Sequence, residues 1–256
     1  NGYLRDGKFI DLVTEDFSPY NIDLEYDPDA EPVKIVDDYI NNLTGNEQEY
    51  RDLLLEILGS TLIVNPEFKR LTASFFIFVG DGGNGKGTLL TIIRTILGSK
   101  NVTGMGISEL TDERYLSSFK GMLANLGDDL EDRPINDKQM KVLKNLSSCD
   151  YIATRELYKT AENMLFTGSL IFTSNHILKS WEKGKAYERR VKWLPMYIKI
   201  EKKDPLFITK LTTEEALRYW IRLFVEGYMR LYKNAKFTES PRVREFNEEY
   251  HRYNNP

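Results

Sequence analysis

The chain has 256 residues, of which 41% are hydrophobic and 29% charged, and its formal net charge is −4 at pH 7. This composition is typical of a globular protein with a sizeable core, and the acidic balance excludes a generally basic nucleic-acid coat, so any contact with nucleic acid must be local. Cys149 is the single cysteine, which excludes an internal disulfide framework and fits a reducing compartment. No apolar run approaches the roughly 18 residues of a membrane helix. We therefore expect a cytoplasmic protein with no membrane partner.

The first 70 residues predict an extended lead-in followed by two helices. Residues 1–31 mix turn residues with short β-prone pieces, which is typical of a lead-in with a small hairpin. From Pro32 apolar residues recur at helical spacing, and Asn41 and Gly45 are expected to break the helix. A second helix is predicted at about Glu47–Leu62. The pattern leaves two interpretations open: a small helical subdomain, or outer helices of one larger domain.

A glycine-rich stretch lies between a predicted strand and a predicted helix. Phe75–Val79 has the apolar, β-prone pattern of a buried central strand, and apolar residues recur at helical spacing afterwards up to Leu97, with Gly98 as a C-cap. Strand, glycine-rich loop with lysine and helix follow each other in the order of a phosphate-binding (Walker A) loop. The candidate binding residues are Gly80, Asp81, Gly82, Gly83, Asn84, Gly85, Lys86, Gly87 and Thr88.

Each part of this loop has a physical role in holding phosphate. Glycines let successive backbone N–H groups point into one concavity, and the following helix presents its positive dipole end to the same anion. Lys86 supplies a cation for the β- and γ-phosphates. The pattern normally has Ser or Thr directly after the lysine to hold Mg²⁺, but this chain has Gly87 there. Either Thr88 takes the metal or water replaces the missing ligand.

Two further segments supply polar groups at predicted strand ends. The apolar stretch that begins at Phe119 stops at two carboxylates, and we assign Asp128 to the metal and Asp129 to activation of the attacking water, with Glu131 in reserve. A buried strand, Ser169–Asn175, ends in an amide that can reach the γ-phosphate or orient water. An Asp pair or a lone Asn in these places is also common in turns and caps.

The arginine pair Arg189 and Arg190 precedes the apolar segment Val191–Pro195. Paired arginines at this place are compatible with structural ion pairs. They are equally compatible with an arginine finger that reaches the γ-phosphate of a neighbouring subunit. The residues alone leave both roles open, and they do not distinguish which arginine is the finger.

Strands that alternate with helices predict an α/β fold, a P-loop parallel sheet flanked by helices. Before and after it we expect a small N-terminal helical subdomain and C-terminal helices, the latter at Glu214–Tyr232 and after Pro241. The predicted domains are a lead-in with helical subdomain (1–70), a P-loop core (71–200) and a C-terminal helical segment (201–256).

The order of these motifs resembles superfamily three helicases, specifically the helicase domain of phage and plasmid primase–helicases, over nearly the whole chain. The matching segments are the nucleotide loop at 80–86, the acidic strand at 125–129, a basic motif at 144–159, the sensor strand at 170–175 and the arginines at 189–190. The loop is shared by many ATPases, whereas the basic motif and the spaced sensor strand are more specific. Gly87 departs from the family pattern, as do Ser147–Cys149, where glycine is common.

The resemblance implies an AAA+-like ATPase that uses ATP and Mg²⁺ and assembles as a ring, expected to be a hexamer, with Arg189 or Arg190 acting in trans. It also implies a hairpin that grips single-stranded or forked DNA through Lys144, Arg155 and Lys159, with 3′ to 5′ movement. A bacterial host or phage-infected cell is the implied setting. Because the chain begins at Asn1, we expect a fragment of a longer protein, and the resemblance leaves open whether a primase or polymerase domain belongs to the same full-length chain.

The sequence is compatible with three functions. The first is ATP-driven DNA unwinding in phage, plasmid or mobile-element replication. The second is a DNA-remodelling or origin-binding ATPase without processive unwinding. The third is a regulatory module whose nucleotide site is vestigial because Gly87 displaced the metal ligand. For Arg155 and Lys159 the alternative is a solvated charged strand.

Overall fold

A computed structural model describes residues 2–11, 20–155, 160–180, 184–197 and 204–254. The strands are β1 (Gly2–Arg5), β2 (Lys8–Asp11), β3 (Phe75–Val79), β4 (Val102–Thr103), β5 (Ala124–Gly127), β6 (Tyr151–Thr154), β7 (Glu162–Leu165), β8 (Ser169–Ser174) and β9 (Val191–Pro195). The α-helices are α1 (Lys34–Leu43), α2 (Gln48–Ser60), α3 (Pro66–Leu71), α4 (Lys86–Leu97), α5 (Glu113–Leu116), α6 (Asp137–Ser147), α7 (Lys185–Arg190), α8 (Phe207–Leu211), α9 (Glu214–Asn234) and α10 (Pro241–Asn254).

The centre of the fold is a five-stranded sheet in the order β4-β5-β8-β3-β9, in which all neighbouring strands run parallel. Helices flank both of its faces, so the predicted α/β class with a P-loop-type parallel sheet is confirmed. Parallel strands place all their carboxyl ends on one side of the sheet. We call that side the carboxyl edge, marked by Gly80, Asp128, Asn175 and Met196. The opposite side is the amino edge, where the strands begin.

The strand β3 carries the core of both layers. Phe76 and Phe78 pack into a cluster with α1, α2, α4 and α9, whereas Phe75 and Ile77 face a cluster that includes α6 and α10. All five residues of β3 are buried, as expected for a central parallel strand. Helices from both ends of the chain therefore share one core with the sheet. The domain boundaries at 70 and 200 stay predictions.

The helices α2 and α9 approach each other unusually closely. A Cβ atom on Gly227 would come within 2.0 Å of the Leu55 carbonyl oxygen, and one on Gly59 within 2.1 Å of the Tyr228 nitrogen. Only glycine permits this backbone contact. The two glycines thus fix the C-terminal helix against the helix that precedes the sheet.

The predicted elements differ from the structure mainly at the N-terminal side. The break expected near Asn41 is wrong, because α1 continues to Leu43; the Asn41 side chain accepts a hydrogen bond from Arg51 at 2.9 Å and leaves the helical backbone intact. Gly45, with a φ of 62°, follows the helix end. The hairpin of the lead-in is β1–β2, and the predicted β-prone piece after residue 11 lies mostly outside the described residues.

Sequence patterns missed the short elements α3, β4, α5 and α7. The helix α3 begins after Asn65, whose side chain accepts from the backbone N–H groups of Glu67 and Phe68, with Pro66 in the first turn. That cap was readable in the sequence. None of the described helices combines the length and apolar character needed to cross a membrane.

Candidate nucleotide-binding site

The glycine-rich loop connects β3 to α4 at the carboxyl edge, and α4 begins at Lys86. Gly83 and Gly85 have φ values of 82° and 85°, which L-residues with side chains rarely adopt. Gly80 is required for a different reason: a Cβ there would lie 1.9 Å from Nδ2 of Asn84. The loop thus folds over its own first glycine, and the N-terminus of α4 opens beside it.

Lys86 lies inside this loop with only 7% of its surface exposed. Its ammonium group donates to the carbonyl oxygen of Gly80, to Asn84 Oδ1 at 2.9 Å and to the Asp81 carbonyl at 3.3 Å. Burial lowers the pKa of Lys86, and the charges of Asp129, Asp81 and Asp128 act against that effect. The lysine therefore sits among acceptors that a phosphate would replace, in the field of the carboxylates.

A tyrosine of α1 forms a hydrogen bond to the backbone of the glycine-rich loop. The hydroxyl of Tyr39 donates to the carbonyl oxygen of Gly85 at 2.9 Å, and the side chain is 1% exposed. Tyr39 lies in the helix that the apolar spacing after Pro32 predicts, and that spacing shows no more than a buried helix face. Nothing in the local pattern distinguishes a tyrosine that packs from one whose hydroxyl supports a distant loop.

The two carboxylates that follow β5 are organised by Thr173 of β8. Its hydroxyl donates to Asp128 Oδ1 at 2.6 Å and accepts from the backbone N–H of Asp129 at 2.9 Å. Asn175 Nδ2 in turn donates to Asp129 Oδ1 at 2.7 Å. Asp129 has a φ of 46°. The structure therefore joins Asp128, Asp129 and Asn175 in one network, with Thr173 as the connecting residue that sequence reasoning missed.

Glu131, the reserve carboxylate, lies apart from this network. It forms an ion pair with Arg133 at 3.2 Å, and its side chain is 64% exposed. That pairing between two nearby surface residues is typical of a solvated turn. The geometry thus favours Asp128 and Asp129 over Glu131 as the acidic groups beside the loop.

The residues that would accompany Mg²⁺ fit a phosphate-bound ion rather than a protein cage. Thr88 lies half-buried in the first turn of α4, and its hydroxyl has no hydrogen-bond partner within the described ranges. Gly87 is exposed, and a Cβ there would meet no atom within 4 Å. Among the described residues no group of three or more His, Cys, Asp or Glu is arranged to hold a metal. Mg²⁺ typically keeps waters and takes one or two protein ligands plus phosphate oxygens.

Arg189 and Arg190 lie far from the loop, at the amino edge. They end α7, which leads directly into β9, and β9 runs parallel to β3 with Val191 opposite Phe75. Arg190 Nε donates to Ser148 Oγ at 3.1 Å. Arg189 is exposed and makes no hydrogen bond or ion pair within the part of the chain that the structure describes. Neither arginine contacts the glycine-rich loop of the same chain.

The predicted hairpin is confirmed as β6 paired antiparallel with β7. Arg155 directly follows β6 and is exposed, with its backbone N–H 3.4 Å from the Glu113 carbonyl oxygen. Lys144 lies in α6, whereas Lys159 lies outside the described residues. The turn before β6 uses Cys149 in the left-handed region, with a φ of 51°, at the place where glycine was expected.

Two cavities flank the sheet at its opposite edges. One of about 650 Å³ opens beside the loop, lined by residues that include Gly80, Asp81 and Asn175. A larger cleft of about 910 Å³ lies at the amino edge and is lined by residues that include Arg189 and Arg190. The larger cleft therefore contains the arginines and not the glycine-rich loop.

Comparison with known proteins supports the fold. A family of unknown function, DUF5906, matches residues 78–190, which include the loop, the carboxylates, the hairpin and the arginines. No curated protein matches the chain. A solved structure of the NrS-1 C terminal region superposes with a TM-score of 0.64 at 14% identity, covering 88% of this chain and 53% of that one.

The fold is similar to that of the NrS-1 C terminal region. A second structure of the same region gives a TM-score of 0.59 at 16% identity, with 85% of this chain and 54% of that chain covered. The chain thus spans about half the length of these structures. At such identities the likeness concerns the fold alone.

Proposed function

We propose that this chain is the motor part of an ATP-dependent DNA helicase that acts in phage, plasmid or mobile-element replication. The observation that carries the proposal is the convergence of Lys86 with Asp128, Asp129 and Asn175 on one edge of a parallel sheet. In open α/β folds, ligands bind at the carboxyl ends of the strands. The resemblance to superfamily three helicases and the fold of the NrS-1 C terminal region support the same assignment.

Each group has a role in ATP hydrolysis. The loop N–H groups and the N-terminus of α4 bind the phosphates, and Lys86 exchanges its loop carbonyls for β- and γ-phosphate oxygens. Asp128 and Thr88 are the residues that would hold Mg²⁺, whose charge neutralises the phosphate oxygens when it is bound. Asp129, oriented by Asn175 at 2.7 Å, accepts the proton of the attacking water.

The position of the arginines supports assembly into a ring. Arg189 lies on the edge opposite the loop and has no partner among the described residues, whereas Arg190 is bound to Ser148. A head-to-tail arrangement of subunits brings the amino edge of one to the carboxyl edge of the next, and such contacts close into rings. Arg189 would then reach the γ-phosphate bound by its neighbour, in a ring expected to be a hexamer.

The DNA partner is inferred from the β6–β7 hairpin. The hairpin forms a sheet of its own, separate from the five-stranded sheet, and Arg155 is exposed at its end. A few basic residues per subunit, repeated around a ring, give a positive channel although the chain as a whole is acidic. Arg155, Lys144 and Lys159 are the proposed contacts to the phosphates of one strand, with 3′ to 5′ movement.

The decisive experiment measures ATP turnover with Mg²⁺ and strand displacement on forked DNA, for the wild-type chain and for Lys86→Ala. We expect DNA-stimulated turnover and unwinding in the wild type and neither in the variant. Unwinding that survives in Lys86→Ala would refute the mechanism. Wild-type protein without turnover would indicate a vestigial site, whereas turnover without displacement would indicate a remodelling ATPase.

A further inference from the structure

Two buried tyrosines share a hydrogen bond behind the arginine helix. The hydroxyls of Tyr187 in α7 and Tyr250 in α10 are 2.6 Å apart, and the two side chains are 0% and 3% exposed. Tyr187 is the buried residue of α7. Tyr187 is thus the side chain that anchors α7 in the core, beside the Arg190–Ser148 hydrogen bond at the end of the helix, so the position of α7 depends in part on the tyrosine contact.

The same pair reaches the segment that follows Asn175. Tyr250 donates its hydroxyl hydrogen to the carbonyl oxygen of Leu178 at 3.0 Å, three residues after Asn175. Asn254 of the same helix accepts from the Ser180 backbone N–H at 2.9 Å. The helix α10 therefore connects the segment that carries Asn175 with the helix that carries Arg189.

Burial of the Tyr187–Tyr250 pair keeps both hydroxyl groups in the protonated form. Burial raises the pKa of Tyr250 to about 12 and that of Tyr187 still further, so both hydroxyls stay protonated and able to donate. Trp193 Nε1 and Ser180 Oγ are buried close by, and both act on the Tyr187 hydroxyl, where they lower its pKa against the larger effect of burial.

We propose that Tyr187 and Tyr250 are positioning residues for Arg189, and that they fix the arginine against the subunit's own Asn175 segment. The inference rests on the proposed function, since it assigns the tyrosines a role in presenting Arg189 to the neighbouring subunit. Arg189 is two residues beyond Tyr187 in α7. A displacement of the Leu178 carbonyl is thereby carried through two hydroxyls to the arginine.

The first test removes one hydroxyl at a time. Tyr250→Phe and Tyr187→Phe each keep the aromatic side chain and lose the hydrogen bond between α7 and α10. We expect kcat for ATP to fall about fivefold, as the loss of one buried hydrogen bond would cause, while KM and ATP binding stay unchanged because the loop is intact. Tyr219→Phe is the matched control, because it loses one hydroxyl that donates to Asp37 at 2.9 Å elsewhere in the fold.

The second test asks in which subunit the hydroxyl acts. Lys86→Ala subunits supply Arg189 but cannot turn over ATP, and Arg189→Ala subunits retain the loop, so mixed rings of the two regain activity. Adding Tyr250→Phe to the Lys86→Ala subunit should lower the regained rate about fivefold. Adding it to the Arg189→Ala subunit should change that rate less than about twofold.

The outcomes separate this inference from the proposed function. The positioning role would be overturned if Tyr250→Phe lowered the regained rate equally in both combinations. It would also be overturned if the rate fell only when Tyr250→Phe was added to the Arg189→Ala subunit, which supplies the intact loop. Wild-type kinetics in both Phe variants would overturn it as well. If the wild-type chain shows no turnover, or if Lys86→Ala and Arg189→Ala never complement each other, the proposed function itself fails, and the tyrosine pair has no arginine finger to position.

Discussion

Lys86 and Lys69 are equally buried, each with 7% of its surface exposed, yet they lie in opposite settings. Lys86 lies at the carboxyl edge, inside the glycine-rich loop. Lys69 belongs to α3 and reaches the amino edge, where its ammonium group donates to the Ser60 carbonyl at 2.6 Å and to Ser169 Oγ at 2.7 Å. Ser169 is the first residue of β8.

The difference lies in the charges around each lysine. Three carboxylates counteract the effect of burial on the pKa of Lys86. Lys69 forms no ion pair with a carboxylate of the described residues, and desolvation lowers its pKa to about 7, against a smaller opposing effect of Cys149. Burial of a lysine therefore does not by itself indicate a binding site. The proposed site rests on the further observation that carboxylates surround Lys86 and that its acceptors belong to the glycine-rich loop.

The largest effect is expected from Lys86→Ala. Loss of the cation that faces the phosphates should lower ATP turnover on the order of a hundredfold or more, without lowering the melting temperature, since the variant removes a partly desolvated charge. The measurement combines steady-state turnover with thermal unfolding. Lys69→Met serves as the comparison, because it alters an equally buried lysine away from the loop. A similar loss of turnover in both variants would contradict the distinction.

Thr173→Val tests whether the Thr173 hydroxyl is needed to hold Asp128 and Asp129, the carboxylates near Lys86. The variant keeps the shape of the side chain and removes the hydroxyl that donates to Asp128 at 2.6 Å and accepts from Asp129 N–H. We expect kcat to fall about tenfold or more because both carboxylates lose their orientation. Thr173→Ser retains the hydroxyl and should recover most of the rate. A normal rate in Thr173→Val would show that the carboxylates need no such support.

Lys69 should instead appear in the pH dependence of stability. Its pKa is about 7 in the folded chain and near 10.5 when unfolded, so between these values only the unfolded chain holds the proton. Raising the pH across this range then favours folding, with a slope that approaches about 1.4 kcal/mol per pH unit. Denaturant unfolding at several pH values measures the slope. The slope of stability against pH should be smaller in Lys69→Met. An unchanged slope in this variant would show that Lys69 keeps its proton in the folded chain.

The sequence predicted the loop, the carboxylates and the strand that ends at Asn175 because each is a local pattern. Glycine spacing, apolar runs and the polar residues that end them can be read within about ten residues. Those patterns also gave the α/β class. The order of motifs along the chain could not show that Asn175 donates a hydrogen bond to Asp129. That contact depends on β5 and β8 being neighbours in the sheet.

The contacts that support the site were not predictable in the same way. Tyr39 reaches Gly85 from 46 residues away, and Tyr187 meets Tyr250 across 63 residues. Such contacts depend on how helices pack on the sheet, which periodicity does not specify. Thr173 was visible only as a residue of a buried strand. Its hydroxyl gains a role once β8 is known to lie beside β5.

The smallest effect is expected at Gly87, beside Lys86. A Cβ at this position meets no atom within 4 Å, so Gly87→Ser should fold normally and place a hydroxyl where the common loop pattern has one. We expect the Mg²⁺ concentration for half-maximal turnover to fall about two- to threefold, because an oxygen ligand is added at little steric cost. Gly87→Ala is the matched control, since it adds the Cβ and helix propensity without the oxygen. If Gly87→Ser and Gly87→Ala lower the required Mg²⁺ concentration equally, the effect comes from higher helix propensity. Thr88 or water would then remain the candidate for the Mg²⁺ ligand.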